Sequence, residues 1–331
     1  MKNNIDYGIK RYIETKNYKS NNKVYRVINK NINTIYVSNE EDKNIIVEIN
    51  NLDFNVVVGD YVELMIFENR YYILKVLDRI STISKASNRT KKSYAYNDNE
   101  QILATNVEQI FILIAADQRF TLSKLERYLM TFGAMVSDVN IIISKSDYDD
   151  LAKKIKEEIL SVYPEINVNF CSIYDEVLIS EIMNLFKPYQ TAILLGSSGA
   201  GKSTLLNYML GEELNETQDV RSDGKGKHTT TSSTLLYIER TKSYIIDTPG
   251  FKTINTNREL NEEILFSEIL ELSKKCKFND CKHESEPGCA VKKAIKEGKI
   301  LKEMYDRYLA IKDKNERYNR FLQKKSYINK K

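Results

Sequence analysis

Gly196-Ser-Ser-Gly-Ala-Gly201-Lys202-Ser203 is the stretch on which the fold turns. It fits the pattern G-x-x-x-x-G-K-[ST]. It follows the apolar run Ala192-Ile-Leu-Leu195 and opens a helical pattern over 202–210, the strand–loop–helix setting such a loop needs. Its glycines let backbone N–H groups turn inward around phosphate oxygens, and the helix start behind them adds its positive end. Gly196, Ser197, Ser198, Gly199, Ala200, Gly201, Lys202, Ser203 and Thr204 are therefore candidate phosphate-binding residues. Lys202 would act catalytically on the β/γ-phosphates, and Ser203 would ligate Mg²⁺.

Downstream, Tyr244-Ile-Ile-Asp247-Thr-Pro-Gly250 is an apolar strand ending in Asp-x-x-Gly. After a phosphate loop this points to GTPases, with Asp247 holding Mg²⁺ and the Gly250 N–H touching the γ-phosphate. Phe251 stands where Ras-like enzymes use a Gln to orient the attacking water, so another group must do that work. Between the two motifs, the stretch from Arg221 to Thr231 is rich in glycine and charge and reads as a switch loop. Thr230 would complete the Mg²⁺ shell, and His228 would orient the water as a catalytic group.

A guanine-specificity element normally follows the phosphate loop, but nothing like NKxD occurs downstream of 250, and the candidate lies upstream. The buried strand Ile141-Ile-Ile runs into Ser144-Lys145-Ser146-Asp147. The Asp147 carboxylate would accept from guanine N1 and N2, and the Lys145 stem would cover the base. Phe170-Cys171-Ser172-Ile173 ends a further strand and offers Ser172 as the second base-side element. Base-reading elements thus precede phosphate-reading ones. A closed α/β domain tolerates that circular permutation because its termini lie close together.

The rest of the 331-residue chain frames this domain. Short β-branched runs at 24–28, 34–38, 45–49, 61–67 and 71–77 predict a five-stranded OB-fold barrel. Residues 84–100 are polar and basic and read as a linker. From 107 to 250, apolar runs suited to buried parallel strands occur at 107–115, 139–143, 168–170, 192–195, 235–238 and 244–246. Helical patterns lie at 122–132 and 151–162 among them. Beyond about residue 258 a helical region is expected, interrupted by Cys276, Cys281, His283 and Cys289. Cys₃His is a standard tetrahedral structural zinc set, and using all four ligands leaves no open position for catalysis.

Charge is unevenly placed. Residues 1–95 carry 16 Lys and Arg against 11 Asp and Glu, and residues 291–331 carry 14 against 5, while the whole chain is only +4. Basic ends on an acidic centre suit a polyanionic partner. Four Cys are too few for a disulfide scaffold. No run approaches the ~18 apolar residues of a membrane span, and the N-terminus has no apolar signal region. A soluble, cytoplasmic, monomeric protein with no membrane partner is expected.

With these motifs in place, the chain resembles the circularly permuted ribosome small-subunit-dependent GTPases of the RsgA (YjeQ) family. The matching stretches are VVVGDYVEL, ATNVEQI, LERYL, GSSGAGKST, KHTTTS, DTPGF and DCKHESEPGCAV, and they cover nearly the whole chain. The resemblance implies an OB-fold at 1–95, a permuted GTPase domain at 96–257 and a helical zinc domain with a basic C-terminal helix at 258–331. It implies a GTPase that uses GTP and Mg²⁺, carries one Zn²⁺, binds rRNA and assists late maturation of the small ribosomal subunit. It also implies a switch histidine at His228. Two positions depart from the family pattern: Ser144 replaces Asn, and Ser172-Ile173 lacks the usual following glycine. Ser is shorter and lacks a carboxamide, so weaker contact with both base and phosphate loop is expected. A nucleotide-dependent RNA-binding module with little turnover is the rival reading. The intact Lys202, Ser203, Asp247 and His228 argue against it.

Overall fold

The computed structural model describes residues 5–31, 34–48, 55–86, 100–136, 138–211, 233–247 and 261–328. A short helix, α1 (Ile9–Lys16), precedes five strands: β1 (Val24–Lys30), β2 (Ile35–Ser38), β3 (Ile45–Val47), β4 (Tyr61–Phe67) and β5 (Arg70–Val76). Pairing runs β1–β2–β3–β5–β4 and returns from β4 to β1, so the five strands close on themselves. Closure removes the sheet edges and buries one β-branched residue after another: Val27, Val37, Val47, Val62 and Ile73 are each at most 2% exposed. This is the expected OB-fold barrel.

Strands β6 (Thr82–Ala86) and β7 (Glu100–Thr105) form a separate antiparallel pair. Residues 84–86 and 100, expected as linker, are therefore strand. Their polar side chains gave no alternation to read, whereas the pairing rests on backbone hydrogen bonds, which are blind to side-chain polarity.

The central sheet has five parallel strands in the order β10-β9-β8-β11-β13, built from β8 (Gln109–Ala115), β9 (Asp138–Ser144), β10 (Val168–Cys171), β11 (Thr191–Gly196) and β13 (Ser243–Asp247). Alternate residues face opposite layers. Ile110 and Ile112 pack with helices α2 (Leu122–Phe132) and α3 (Asp149–Val162). Phe111 and Leu113 pack with α4 (Glu176–Leu185) and α5 (Lys202–Leu210). Strand β12 (Ser233–Ile238) was expected to be parallel, but it pairs antiparallel with β13. A short connection joins the two, and short connections make antiparallel neighbours.

Barrel and sheet are continuous. Strand β1 pairs with β12 at Asn29–Thr234 and Lys30–Ser233, and the Asn29 amide donates to Thr234 Oγ1 at 2.8 Å. Beneath this seam Arg26 is fully buried. It donates to Tyr7 O at 2.9 Å and to Thr191 Oγ1 at 2.7 Å. Its guanidinium also lies over the Tyr61 and Tyr244 rings, at 4.8 and 5.6 Å from their centroids.

Three helices complete the described chain: α6 (Glu263–Ser273), α7 (Ala290–Lys296) and α8 (Lys302–Ile328). Phe266, Ile269, Val291, Tyr305, Tyr308 and Ile311 form their core, shared with Met130 of α2 and with Val162 and Tyr163 at the end of α3. Among the described residues no helix is long and apolar enough to cross a membrane.

Candidate nucleotide site and metal cluster

Register brings the working ends of the parallel strands level. Cys171 lies beside Ser144, Ser144 beside Ala115, and Gly196 beside Leu113. The residues just past β8, β9, β10 and β11 therefore share one edge of the sheet. Strand order reverses there: β9 and β10 lie on one side of β8, and β11 lies on the other. Such a switch point at the carboxyl ends of strands is where open α/β sheets bind ligands.

The phosphate loop connects β11 to α5 as expected. Gly196 has φ +149°, and a Cβ there would sit 2.6 Å from Leu113 O, so only glycine lets β11 approach β8 this closely. Gly201 caps α5 with φ 80° and ψ 8°, in the left-handed region. The Lys202 ammonium folds back over the loop and donates to Gly196 O at 2.7 Å and Ser197 O at 2.8 Å. Ser203 and Thr204 lie exposed on the first turn of α5. Asp247 ends β13 and is also exposed, on the strand neighbouring β11.

The base-side residues meet this loop from the other half of the domain. Buried Ser144 donates from Oγ to Ala200 O at 2.8 Å. The contact with the phosphate loop that the change from Asn was expected to weaken is thus present, made by a hydroxyl. Lys145, with φ 55°, turns the chain out of β9, and its ammonium pairs with Asp117 Oδ2 at 2.6 Å. Its alkyl stem therefore spans from the β9 loop to the β8 loop. The exposed Asp147 carboxylate accepts from Ser172 Oγ at 2.9 Å, joining the two base-reading elements. The backbone reinforces that join, since Ser146 N donates to Cys171 O at 3.1 Å. Burial pushes the Cys171 thiol up to about 11, so it packs as an inert strand end.

Of the expected site residues, Ser144, Lys145, Asp147, Ser172, the loop 196–204 and Asp247 converge on one edge. His228, Thr230 and Gly250 lie outside the described residues. Two residues at this edge were missed from the sequence: Asp117, which anchors Lys145, and Gln118, which touches the phosphate loop. Only the strand order, which puts β8 between β9 and β11, could have pointed to them.

The second cluster sits in the helical region. The ligand atoms of Cys276, Cys281, His283 and Cys289 all lie within 4.8 Å of one another. His283 Nδ1 is 3.6 Å from Cys276 Sγ and 3.4 Å from Cys289 Sγ, and the two sulfurs are 3.9 Å apart. A tetrahedron with Zn–S near 2.3 Å has edges of about 3.8 Å, so the donor set fits zinc. Burial, aided by the Lys312 charge, holds His283 below its ordinary value, so the imidazole is neutral as a ligand must be. For Cys276 burial raises the thiol, but the Ala290 and Val291 N–H groups at the start of α7 outweigh it, and the net direction is down. Tyr305 OH donates to His283 O at 2.7 Å and ties the knot to α8.

A phosphate loop, an Asp-ended neighbouring strand and upstream base-side elements on one sheet edge define a circularly permuted P-loop GTPase. A sequence model of the RsgA GTPase family matches residues 76–257. Small ribosomal subunit biogenesis GTPase RsgA 2 of Vibrio parahaemolyticus is 34% identical over 256 residues, 77% of this chain and 69% of that protein. Small ribosomal subunit biogenesis GTPase RsgA of Methanosarcina acetivorans is 33% identical over 261 residues, 78% of this chain and 69% of that one. Among solved structures, YloQ, a circularly permuted GTPase, superposes with a TM-score of 0.61 at 24% identity, covering 90% of this chain and 98% of that one. YjeQ from Thermotoga maritima superposes with a TM-score of 0.62 at 24% identity, covering 88% and 98%. The chain belongs to the RsgA GTPase family and is a GTP-hydrolysing enzyme.

Proposed function

We propose that this enzyme binds the small ribosomal subunit and assists its late maturation, hydrolysing GTP to GDP and phosphate when the subunit stimulates it. The observation that carries the reading is the bond from Ser144 to Ala200, which ties the base-side half of the site to the phosphate loop, with Ser172 on Asp147 joining the two base-reading elements behind it. The names of the relatives, small ribosomal subunit biogenesis GTPases, support the partner.

In this reading Asp147 accepts from guanine N1 and N2, Ser172 fixes the carboxylate, and the Lys145 stem covers the base. Inward N–H groups of 196–204 and the Lys202 ammonium hold the phosphates. The donor set of Ser203 and Asp247, two exposed oxygen groups beside the phosphate loop, fits Mg²⁺, with Thr230 as a further ligand. Bound Mg²⁺ supplies charge neutralisation for the β- and γ-phosphates. His228 orients the attacking water in place of Phe251, and the Gly250 N–H meets the γ-phosphate. Cys276, Cys281, His283 and Cys289 hold one structural zinc ion. The division is an OB-fold at 1–95, the GTPase domain at 96–257 and the zinc domain at 258–331. The basic ends contact rRNA, so binding should weaken steeply with salt. The protein acts in the cytoplasm as a monomer.

Nucleotide state reaches the barrel through the β1–β12 seam, because β12 follows directly on the switch segment. The deciding experiment measures GTP and ATP turnover with and without purified small subunits, and subunit affinity with GDP and with a non-hydrolysable GTP analogue. Stimulated, GTP-selective turnover and unequal affinities are expected. Turnover that ignores the subunit would overturn the partner. Equal affinities would overturn the coupling.

A further inference from the structure

Gln118 stands one residue beyond Asp117, just past the end of β8 and across the switch point from the phosphate loop. Its backbone is fixed by a turn, with the N–H on Ala115 O at 3.2 Å. Its side-chain amide grips the loop twice. Oε1 accepts from Ser197 Oγ at 3.0 Å, and Nε2 donates to Ser198 O at 3.0 Å. The orientation of the amide is forced, because a backbone carbonyl only accepts and so must face the NH₂ end. Contact continues to the next residue. A Cβ on Gly199 would lie 2.6 Å from Gln118 Nε2, so the amide is seated directly against the crest of the loop.

The consequence follows from the planarity of the peptide bond. In a trans peptide the C=O of one residue and the N–H of the next point in opposite directions. Holding Ser198 O on the β8 side therefore turns the Gly199 N–H to the opposite side of the loop, away from Gln118. Gly199 has φ +76° and no side chain to restrain it, so its flanking peptides can flip at little steric cost. We propose that Gln118 is a positioning residue for the nucleotide phosphates: it locks the Ser198–Gly199 peptide so that the Gly199 N–H is presented to a phosphate oxygen before nucleotide arrives. This rests on the reading that loop 196–204 holds the phosphates of GTP and GDP. A preorganised donor adds affinity that a freely flipping one would spend on being ordered.

The test compares the full-length protein with Gln118→Met, which keeps the length and loses both bonds, and with Gln118→Ala. GDP and GTP dissociation constants are measured by titration with fluorescent analogues, alongside melting temperature without nucleotide. Selective ¹⁵N-glycine labelling, with 12 glycines in the chain, follows the Gly199 amide. Expected are a roughly tenfold loss of GDP and GTP affinity, an unchanged melting temperature without nucleotide, and loss of the downfield shift of the Gly199 amide proton that GDP causes in the parent. Affinities within twofold of the parent would overturn the proposal. So would an affinity loss that tracks a lowered melting temperature while the Gly199 shift persists. A parent that binds no GDP would instead sink the phosphate-loop reading and take this proposal with it.

Discussion

Removing the Arg307 guanidinium should loosen the helical region from the GTPase sheet, and the size of the effect follows from the burial of its partner. Glu126 of α2 is 1% exposed. Arg307 of α8 donates from Nε to Glu126 Oε1 at 2.7 Å, also bonds the other carboxylate oxygen, and reaches Ser123 Oγ at 2.8 Å. Tyr163 OH donates to the same Oε1 at 2.7 Å. Breaking a buried pair by deleting one partner costs about 3–5 kcal/mol, because the other charge is left uncompensated. Here the Arg307 side chain is 26% exposed and the Tyr163 bond remains, so Arg307→Met should cost roughly 2–3 kcal/mol. Hydrogen exchange is the suitable assay, since a chain of several domains need not unfold in one step. Amides of α8 between residues 302 and 320 should exchange on the order of 30- to 150-fold faster, at tenfold per 1.4 kcal/mol. The double variant Glu126→Gln/Arg307→Met removes both charges while leaving an acceptor for Tyr163 OH, and should recover most of the protection. A change below threefold in the single variant, or a double variant no better than the single, would refute the reasoning.

Chelating zinc should expose the segment between α6 and α7 to protease while α8 stays protected, because Tyr305, Tyr308 and Ile311 pack on α2 and α3 residues independently of the metal; unchanged cleavage between 274 and 290 would count against a zinc knot. Asp147→Asn replaces an acceptor with a donor opposite guanine N1 and N2, so GTP affinity should fall at least tenfold while xanthosine triphosphate binds better; competition titration reads both. Glu63 is buried at 4% exposure and accepts from Tyr18, Ser20 and Asn22. Burial pushes its carboxyl up, but those three donors outweigh it and hold it below its ordinary 4.5. A depressed folded pKa stabilises above the unfolded value and the benefit is lost as pH falls through the folded one. Glu63→Gln should therefore cost about 1 kcal/mol in barrel stability at pH 7, with the cost shrinking below pH 4.5; a cost independent of pH would show that the charge is not what matters.

What could be read from the sequence was what lies within one short stretch. The phosphate loop, the apolar run into Ser144-Lys145-Ser146-Asp147 and the Cys₃His cluster each announce themselves because spacing along the chain sets their chemistry. The valines of the barrel did so through alternation. What stayed hidden depends on residues that meet only after folding. Gln118 and Ser197 are 79 positions apart, Arg26 and Thr191 are 165 apart, and Arg307 and Glu126 are 181 apart. No local pattern encodes such pairs, and a lone Gln or Glu in a polar stretch looks like surface. The antiparallel β12 was misread for a related reason, since an apolar run states burial and not direction. Permutation sharpens the point at the site itself. With the base-reading loops earlier in the chain than the phosphate loop, nothing in the linear order joins them. The join is made by Ser144 on Ala200 and by Gln118 on Ser197 and Ser198, three side-chain bonds that run from the ends of β9 and β8 to the loop after β11 and that only the sheet brings together. Short as it is, the Ser144 hydroxyl reaches Ala200 O, and that bond is what keeps the two halves of the site together.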